Sequence, residues 1–104
     1  MVPSGDLRRN ILLAIDEGLL VLGEIVRVAI YERLERSYQL KREEIPESLV
    51  SFQKALGELL GSPAVVIGKV IAKDLYRRLG LDFQERRGWT LVDYVNNAKK
   101  IKGA

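Results

Sequence analysis

Lys69, Lys73 and Arg77 recur every four residues, with Arg78 beside them and Arg86-Arg87 in the stretch that follows. On a helix that spacing lines the three cations up on one face. Such a strip can neutralise successive phosphates of a nucleic acid, and Trp89, the only tryptophan, is near enough in sequence to stack on a base. Carboxylates also come in pairs: Glu17 and Glu24 stand one heptad apart, and Glu43-Glu44 are adjacent. Paired carboxylates hold a divalent ion or exchange protons only where partner ligands converge on a pocket. The chain has no histidine and no cysteine. Their absence removes the usual zinc sites, thiol nucleophiles, disulfides and the commonest general base, and leaves no Glu-x-x-His pair of the carboxylate metal bundles. The expectation is therefore no catalytic residues, no metal and no cofactor. For the basic strip, Lys69, Lys73, Arg77, Arg86 and Arg87 form a candidate face for an anionic partner. A solvated helix face partly offset by Asp74 is the plainer account, and no nucleic-acid-binding signature accompanies it.

The elements that must carry these residues are helical. With 104 residues, 47% hydrophobic and 30% charged, the chain has the composition of one folded domain spanning 1–104. The stretch from Leu7 to about Tyr38 reads as one long helix. Leu12, Ile15, Leu19, Leu22, Val26, Ala29 and Ile30 fall in one sector and make a core stripe, while Ile11, Val21, Ile25 and Val28 widen the apolar surface beyond it. Glu17, Glu24, Arg27, Glu35 and Asp16 occupy the narrow polar strip. Gly18 and Gly23 each cost about 1 kcal/mol inside a helix, so they point to a close helix contact or a break near Gly23. A continuous, kinked helix is the favoured reading; two helices joined at Gly23 is the other.

Residues 1–6 read as a frayed lead-in, with Ser4 or Asp6 available as a cap. Lys41 to Pro46 reads as a short connection with Ile45 turned inward. A second helix follows Pro46, with Leu49, Phe52, Leu56 and Leu59 or Leu60 inside, and stops at Gly61. Ser62-Pro63 opens a third, in which serine caps and proline occupies the first turn. Its inner stripe is Ala64, Ile67, Ile71, Leu75 and Leu79, closed by Gly80-Leu81. After a charged loop anchored by Phe83, Thr90 and Asp93 form a capping box for the last helix and Trp89 with Tyr94 a hydrophobic staple. Leu91, Val95, Ala98 and Ile101 continue inward. The four tyrosines read as half-buried with wet hydroxyls. The fold class is all-α: a small bundle of four or five helices organised around the long N-terminal one.

Net charge is +3, but residues 1–60 carry eight Lys/Arg against ten Asp/Glu, whereas residues 61–104 carry nine against four. A mildly acidic half and a basic half suit either self-complementary packing or a basic face meeting an anionic partner. No uninterrupted apolar run reaches membrane-spanning length, and no signal-peptide cleavage pattern opens the chain, so the expected setting is the cytoplasm, with no membrane partner. The many Glu, Lys and Arg resemble a thermophile's composition.

Ile15-Asp16-Glu17, Leu22-Gly23-Glu24, Ala29-Ile30-Tyr31, Leu34-Glu35, the run Leu40-Lys41-Arg42-Glu43-Glu44-Ile45-Pro46, Ala55-Leu56 and Leu60-Gly61 resemble a small helical domain of archaeal proteins, the Nitrosopumilus output domain type. The resemblance covers about Leu12 to Leu81, leaving 82–104 as an addition. It implies an effector or interaction module in signalling or regulation, with no assigned activity and no functional residues to carry over. In that family a glycine between an aromatic residue and a leucine ends the first long unit. Here Gln39 stands between Tyr38 and Leu40; a left-handed cap would strain it, so the boundary is expected to differ.

Together these readings give a non-enzymatic protein-interaction or regulatory module. It is expected to form a homodimer through the surplus apolar surface of the first helix, with Val21, Ile25 and Val28 in the interface. The alternative is a nucleic-acid-associated regulator using the basic face.

Overall fold

Gly23 holds φ at 100°, a conformation closed to L side chains, and the opening stretch breaks there into two helices. The computed structural model describes residues 4–103, with side chains from Asp6 to Gly103. Among the described residues the chain is all-helical: α1 (Ser4–Leu20), α2 (Glu24–Tyr38), a 3-10 helix (Arg42–Glu47), α3 (Leu49–Leu60), α4 (Pro63–Leu79) and α5 (Leu91–Ile101). The continuous helix from Leu7 to Tyr38 is thus corrected to a pair joined by Val21-Leu22-Gly23. The Leu22 and Gly23 amides bond back to the Leu19 and Leu20 carbonyls at 3.0 and 2.8 Å. Helix α1 already includes Ser4 to Asp6, so neither residue stands outside it as a cap; Met1 to Pro3 lie outside the described residues.

The break resets the helical phase. In α1 the inward set is Leu7, Ile11, Leu12, Ala14, Ile15 and Leu19, so Ile11 belongs to the core and not to a lateral extension. In α2 the inward set becomes Ile30 and Leu34, flanked by Arg27, Tyr31 and Tyr38, while Val26 and Ala29 face solvent. A stripe projected through Gly23 at a constant 100° per residue cannot survive three non-helical residues.

The two glycines singled out by sequence do different work. Gly18 marks a close contact: a Cβ built on it would lie 2.2 Å from Ile71 Cγ1 of α4. The pairing of α1 with α4 is the most extensive in the molecule, and bare backbone at Gly18 lets the two helices approach. Helix α4 also packs on α3 and α5, so the molecule is organised around the α1–α4 contact. All five α-helices and the 3-10 helix contribute to one buried cluster, including Phe52, Ile45, Leu75 and Val95. The Cα radius of gyration is 12.9 Å, close to the value of about 13 Å for 100 compact residues.

Local signals explain most boundaries. Thr90 and Asp93 make the reciprocal capping box of α5, and the Trp89 and Tyr94 rings meet at 5.2 Å. Gly80 closes α4, with the Leu81 amide donating to the Tyr76 carbonyl at 2.9 Å. Ser62 does not cap α4: it has helical dihedrals and makes no side-chain bond to the helix. With only Gly61 and Ser62 between α3 and α4, Ser62 is already wound into the turn, whereas a capping side chain needs extended backbone. Ile101 is exposed at 54% and takes no part in the core.

Gln39 adopts the left-handed cap after all, at φ 51°, ψ 40°, so the helix boundary does not move. The Leu40 amide donates to the Leu34 carbonyl at 3.0 Å, and the Gln39 side chain donates to the Arg36 carbonyl at 3.2 Å, which keeps the strained residue in place. Gln39→Gly should therefore stabilise the protein by about 0.5–1 kcal/mol, the left-handed cost less the extra chain entropy of glycine. A higher urea midpoint at unchanged slope is the expected reading; a lower one would mean that the side-chain bond outweighs the strain.

Candidate interaction surfaces

At the corner where α1 meets α2 the chain leaves five large apolar side chains in water within nine positions: Leu20, Val21, Ile25, Val26 and Val28. Ile25 is 85% exposed, Val21 65% and Val28 46%. Burying Ile30 and Leu34 forces Ile25, Val28 and Ala29 onto the outer face, because the positions lie on opposite sides of one short helix. Beyond them the same face becomes charged, with Glu32, Arg33 and Arg36 all exposed. A cluster of this kind, rimmed by charge, is characteristic of protein contact surfaces.

Behind that corner lies a polar clamp. Asp16 accepts from the Tyr31 hydroxyl at 2.6 Å and from Arg42 at 3.0 and 2.5 Å, one bond to each carboxylate oxygen. The three residues come from α1, α2 and the 3-10 helix. Partial burial by itself would raise the Asp16 pKa, but the hydrogen bonds from Arg42 and Tyr31, with the Arg42 charge, overcome it and hold the carboxyl below its usual value. Burial and the Asp16 carboxylate push the Tyr31 hydroxyl well above its ordinary range. Both carboxylate oxygens and the phenol hydroxyl are engaged within the trio, which ties α1, α2 and the 3-10 helix together. Their arrangement is that of a fastener. Sequence placed Asp16 on a solvated strip because nothing local marks its partners, which lie 15 and 26 residues away.

The five cations of the basic strip divide between two clefts, Lys69 with Arg86 and Arg87 in one and Lys73 with Arg77 in the other, and both are interleaved with acids. Lys69 bonds Glu85 at 2.8 Å; Asp74 takes both Arg77 and Arg78 at 2.5 Å. Arg86 lies over the Trp89 ring, 4.9 Å from its centroid, which occupies a face that a base would need. Lys73 and Arg87 have no carboxylate partner among the described residues. Glu17, Glu24, Glu43 and Glu44 do not converge: among the described residues no group of three or more potential metal-ligating side chains assembles. No helix in the described residues is long and apolar enough to cross a membrane.

The tyrosines are better satisfied than sequence implied. Tyr76 and Tyr94 are fully buried, at 2% and 1% exposure. Tyr76 donates to the Tyr94 carbonyl at 2.7 Å and accepts from Asn97 at 3.0 Å. Tyr94 accepts from the Arg86 amide at 2.8 Å, and with Phe83 and Trp89 these rings pin the 80–90 loop to α5. Tyr38 donates to Glu58 at 2.8 Å. Tyr31 and Tyr38 are half-buried as expected, whereas the hydroxyls of Tyr76 and Tyr94 are bonded inside the protein, as burial of a phenol requires.

Comparison of the chain with family models, curated proteins and solved structures finds no match, so these surfaces are the basis on which its role is read.

Proposed function

We propose that the protein is a non-enzymatic helical interaction module that self-associates as a homodimer through the α1–α2 corner. The observation that carries the reading is the exposure of Ile25, Val21 and Val28 together at that corner. A second copy suits it. About a two-fold axis apolar side chains meet apolar side chains, while the adjoining Glu32, Arg33 and Arg36 offer both signs of charge to their own counterparts. The resemblance to the archaeal output domain supports the same class of role, an effector that acts by contact. A cytoplasmic setting belongs to the proposal and rests on the cysteine-free, charge-rich composition.

Light scattering at micromolar concentration tests it. The wild type should have the mass of a dimer, and Val28→Glu or Ile25→Glu should give a monomer with an unchanged circular dichroism spectrum, because both side chains are exposed in the single chain. A strict monomer, or a dimer indifferent to both substitutions, would overturn the reading.

A further inference from the structure

Between α3, α4 and α5 lies a slot of about 230 Å³ that the chain's own side chains do not fill. Gly57, Ala64 and Gly68 keep it open, Leu56 and Leu91 are its buried apolar lining, and Trp89 borders it. The space over Gly57 is empty: a Cβ there would meet nothing within 4 Å. Lys69 and Trp89 also border a wider, open cleft of about 590 Å³, whose other lining residues include Glu85, Arg86 and Arg87. The slot and cleft share Val65, Lys69, Trp89 and Thr90 and so adjoin, the slot apolar and the cleft carrying three cations. Three cations face one carboxylate, and that carboxylate is already engaged by Lys69.

Size selects the kind of occupant. The slot is smaller than the roughly 300–1,000 Å³ of pockets that enclose a whole small-molecule ligand. It is larger than the roughly 150 Å³ that accommodates benzene. One aromatic or branched aliphatic side chain fits, with its backbone and neighbours outside in the basic cleft. We propose that the slot and its basic shelf bind an acidic peptide segment of a partner protein. One large apolar side chain is seated over Gly57, and flanking carboxylates lie on Lys69, Arg86 and Arg87. Charge complementarity sets the sign of the partner. This chain's own acidic run Glu43 to Glu47 does not supply the ligand, because its one large apolar side chain, Ile45, is fully buried in the core. A phosphate backbone has no use for the apolar slot, and Arg86 already covers a face of Trp89. Glu85 holds Lys69 in the free protein and is displaced by the incoming carboxylate. The site shares no residue with the α1–α2 corner, so it stands apart from self-association.

The test is fluorescence anisotropy with a fluorescein-labelled nine-residue peptide of Asp and Glu around a central Phe, alongside the same peptide with central Ala. Saturable binding of the Phe peptide is expected, weakened about tenfold or more by the central Ala and by Gly57→Leu, the exchange expected when one buried anchor is lost. Lys69→Ala should weaken it, and Glu85→Gln should tighten it by removing the internal competitor. Amide shifts of Gly57, Gly68 and Thr90 on titration of the wild type locate the peptide even if Gly57→Leu folds poorly. The proposal is overturned by no binding at millimolar peptide, by equal binding of the Ala peptide, or by undiminished binding to a folded Gly57→Leu. Shifts that avoid the slot, or preference for duplex DNA or phosphatidylglycerol vesicles over the peptide, overturn it equally.

Discussion

Gly18→Ala should destabilise the protein by about 2 kcal/mol, even though alanine is the better helix former by about 1 kcal/mol. The added methyl would sit 2.2 Å from Ile71 Cγ1, far inside ordinary contact distance. Ile71 is 1% exposed and belongs to the central cluster. It has no solvent to retreat into, so relief must come from separating α1 and α4 or from an off-rotamer side chain, each costing more than the propensity gain. Gly18→Ala paired with Ile71→Ala distinguishes this cause from a general weakness of α1. Ile71→Ala alone creates a cavity and costs about 2–5 kcal/mol. The double variant should lose clearly less than the sum of the two, because the new methyl then occupies space vacated by Cγ1. Urea midpoints of the four proteins measure the coupling. Additive losses, or a stabilised Gly18→Ala, would mean that the helices do not meet at this glycine.

The second large effect is expected at the clamp. Arg42→Ala leaves Asp16 partly enclosed without its cation and releases the 3-10 helix from α1. Because the Arg42 side chain is 37% exposed, the loss is discounted for solvent screening to about 1–2 kcal/mol at neutral pH. Its pH dependence has a definite sign. The Asp16 pKa is lower in the folded protein than its ordinary 3.8, so the clamp's contribution is complete above that value. It disappears as pH falls through the lower, folded pKa. The stability gap between wild type and Arg42→Ala should therefore be full at neutrality, begin to close where Asp16 protonates in the variant, and be gone below the lower folded pKa of the wild type. Thermal melts taken from pH 7 to 2.5 read the gap directly. A gap that persists unchanged at the acid end would assign the loss to packing of the Arg42 stem instead. Added salt should narrow the gap at pH 7 as well, since the pair is only partly shielded from water.

Much of the architecture was legible in the residues. Apolar spacing gave the helical class and the inner faces of α3 and α4. The signals at Gly61, Gly80 and the Thr90–Asp93 box located ends that depend on residues only three or four apart, and both glycines of the opening stretch were rightly flagged as anomalies. The same reading failed wherever two chemically similar outcomes differ only in a distant partner. It could not assign close contact to Gly18 and the helix break to Gly23, because the first depends on Ile71 across the core and the second on a dihedral angle. Continuing one phase through Gly23 then exchanged the positions of Ile11, Val26 and Ala29.

The interaction surfaces divide in the same way. That Val21, Ile25 and Val28 are apolar and in excess of one helix face was a property of the sequence; that no other part of the described chain covers them is decided by where α3 and α4 pack. The basic strip was visible as a four-residue repeat, but its interleaving with Glu85 depends on the return of the 80–90 loop, held by buried Tyr76 and Tyr94. The clamp of Asp16, Tyr31 and Arg42 and the slot over Gly57 left no mark in sequence. One is a set of hydrogen bonds between residues far apart in the chain, and the other is empty space, which exists only after three helices have packed around it. Local propensity and periodicity are properties of neighbouring residues and survive in the unfolded chain. Partners, strain and cavities arise only when distant segments meet.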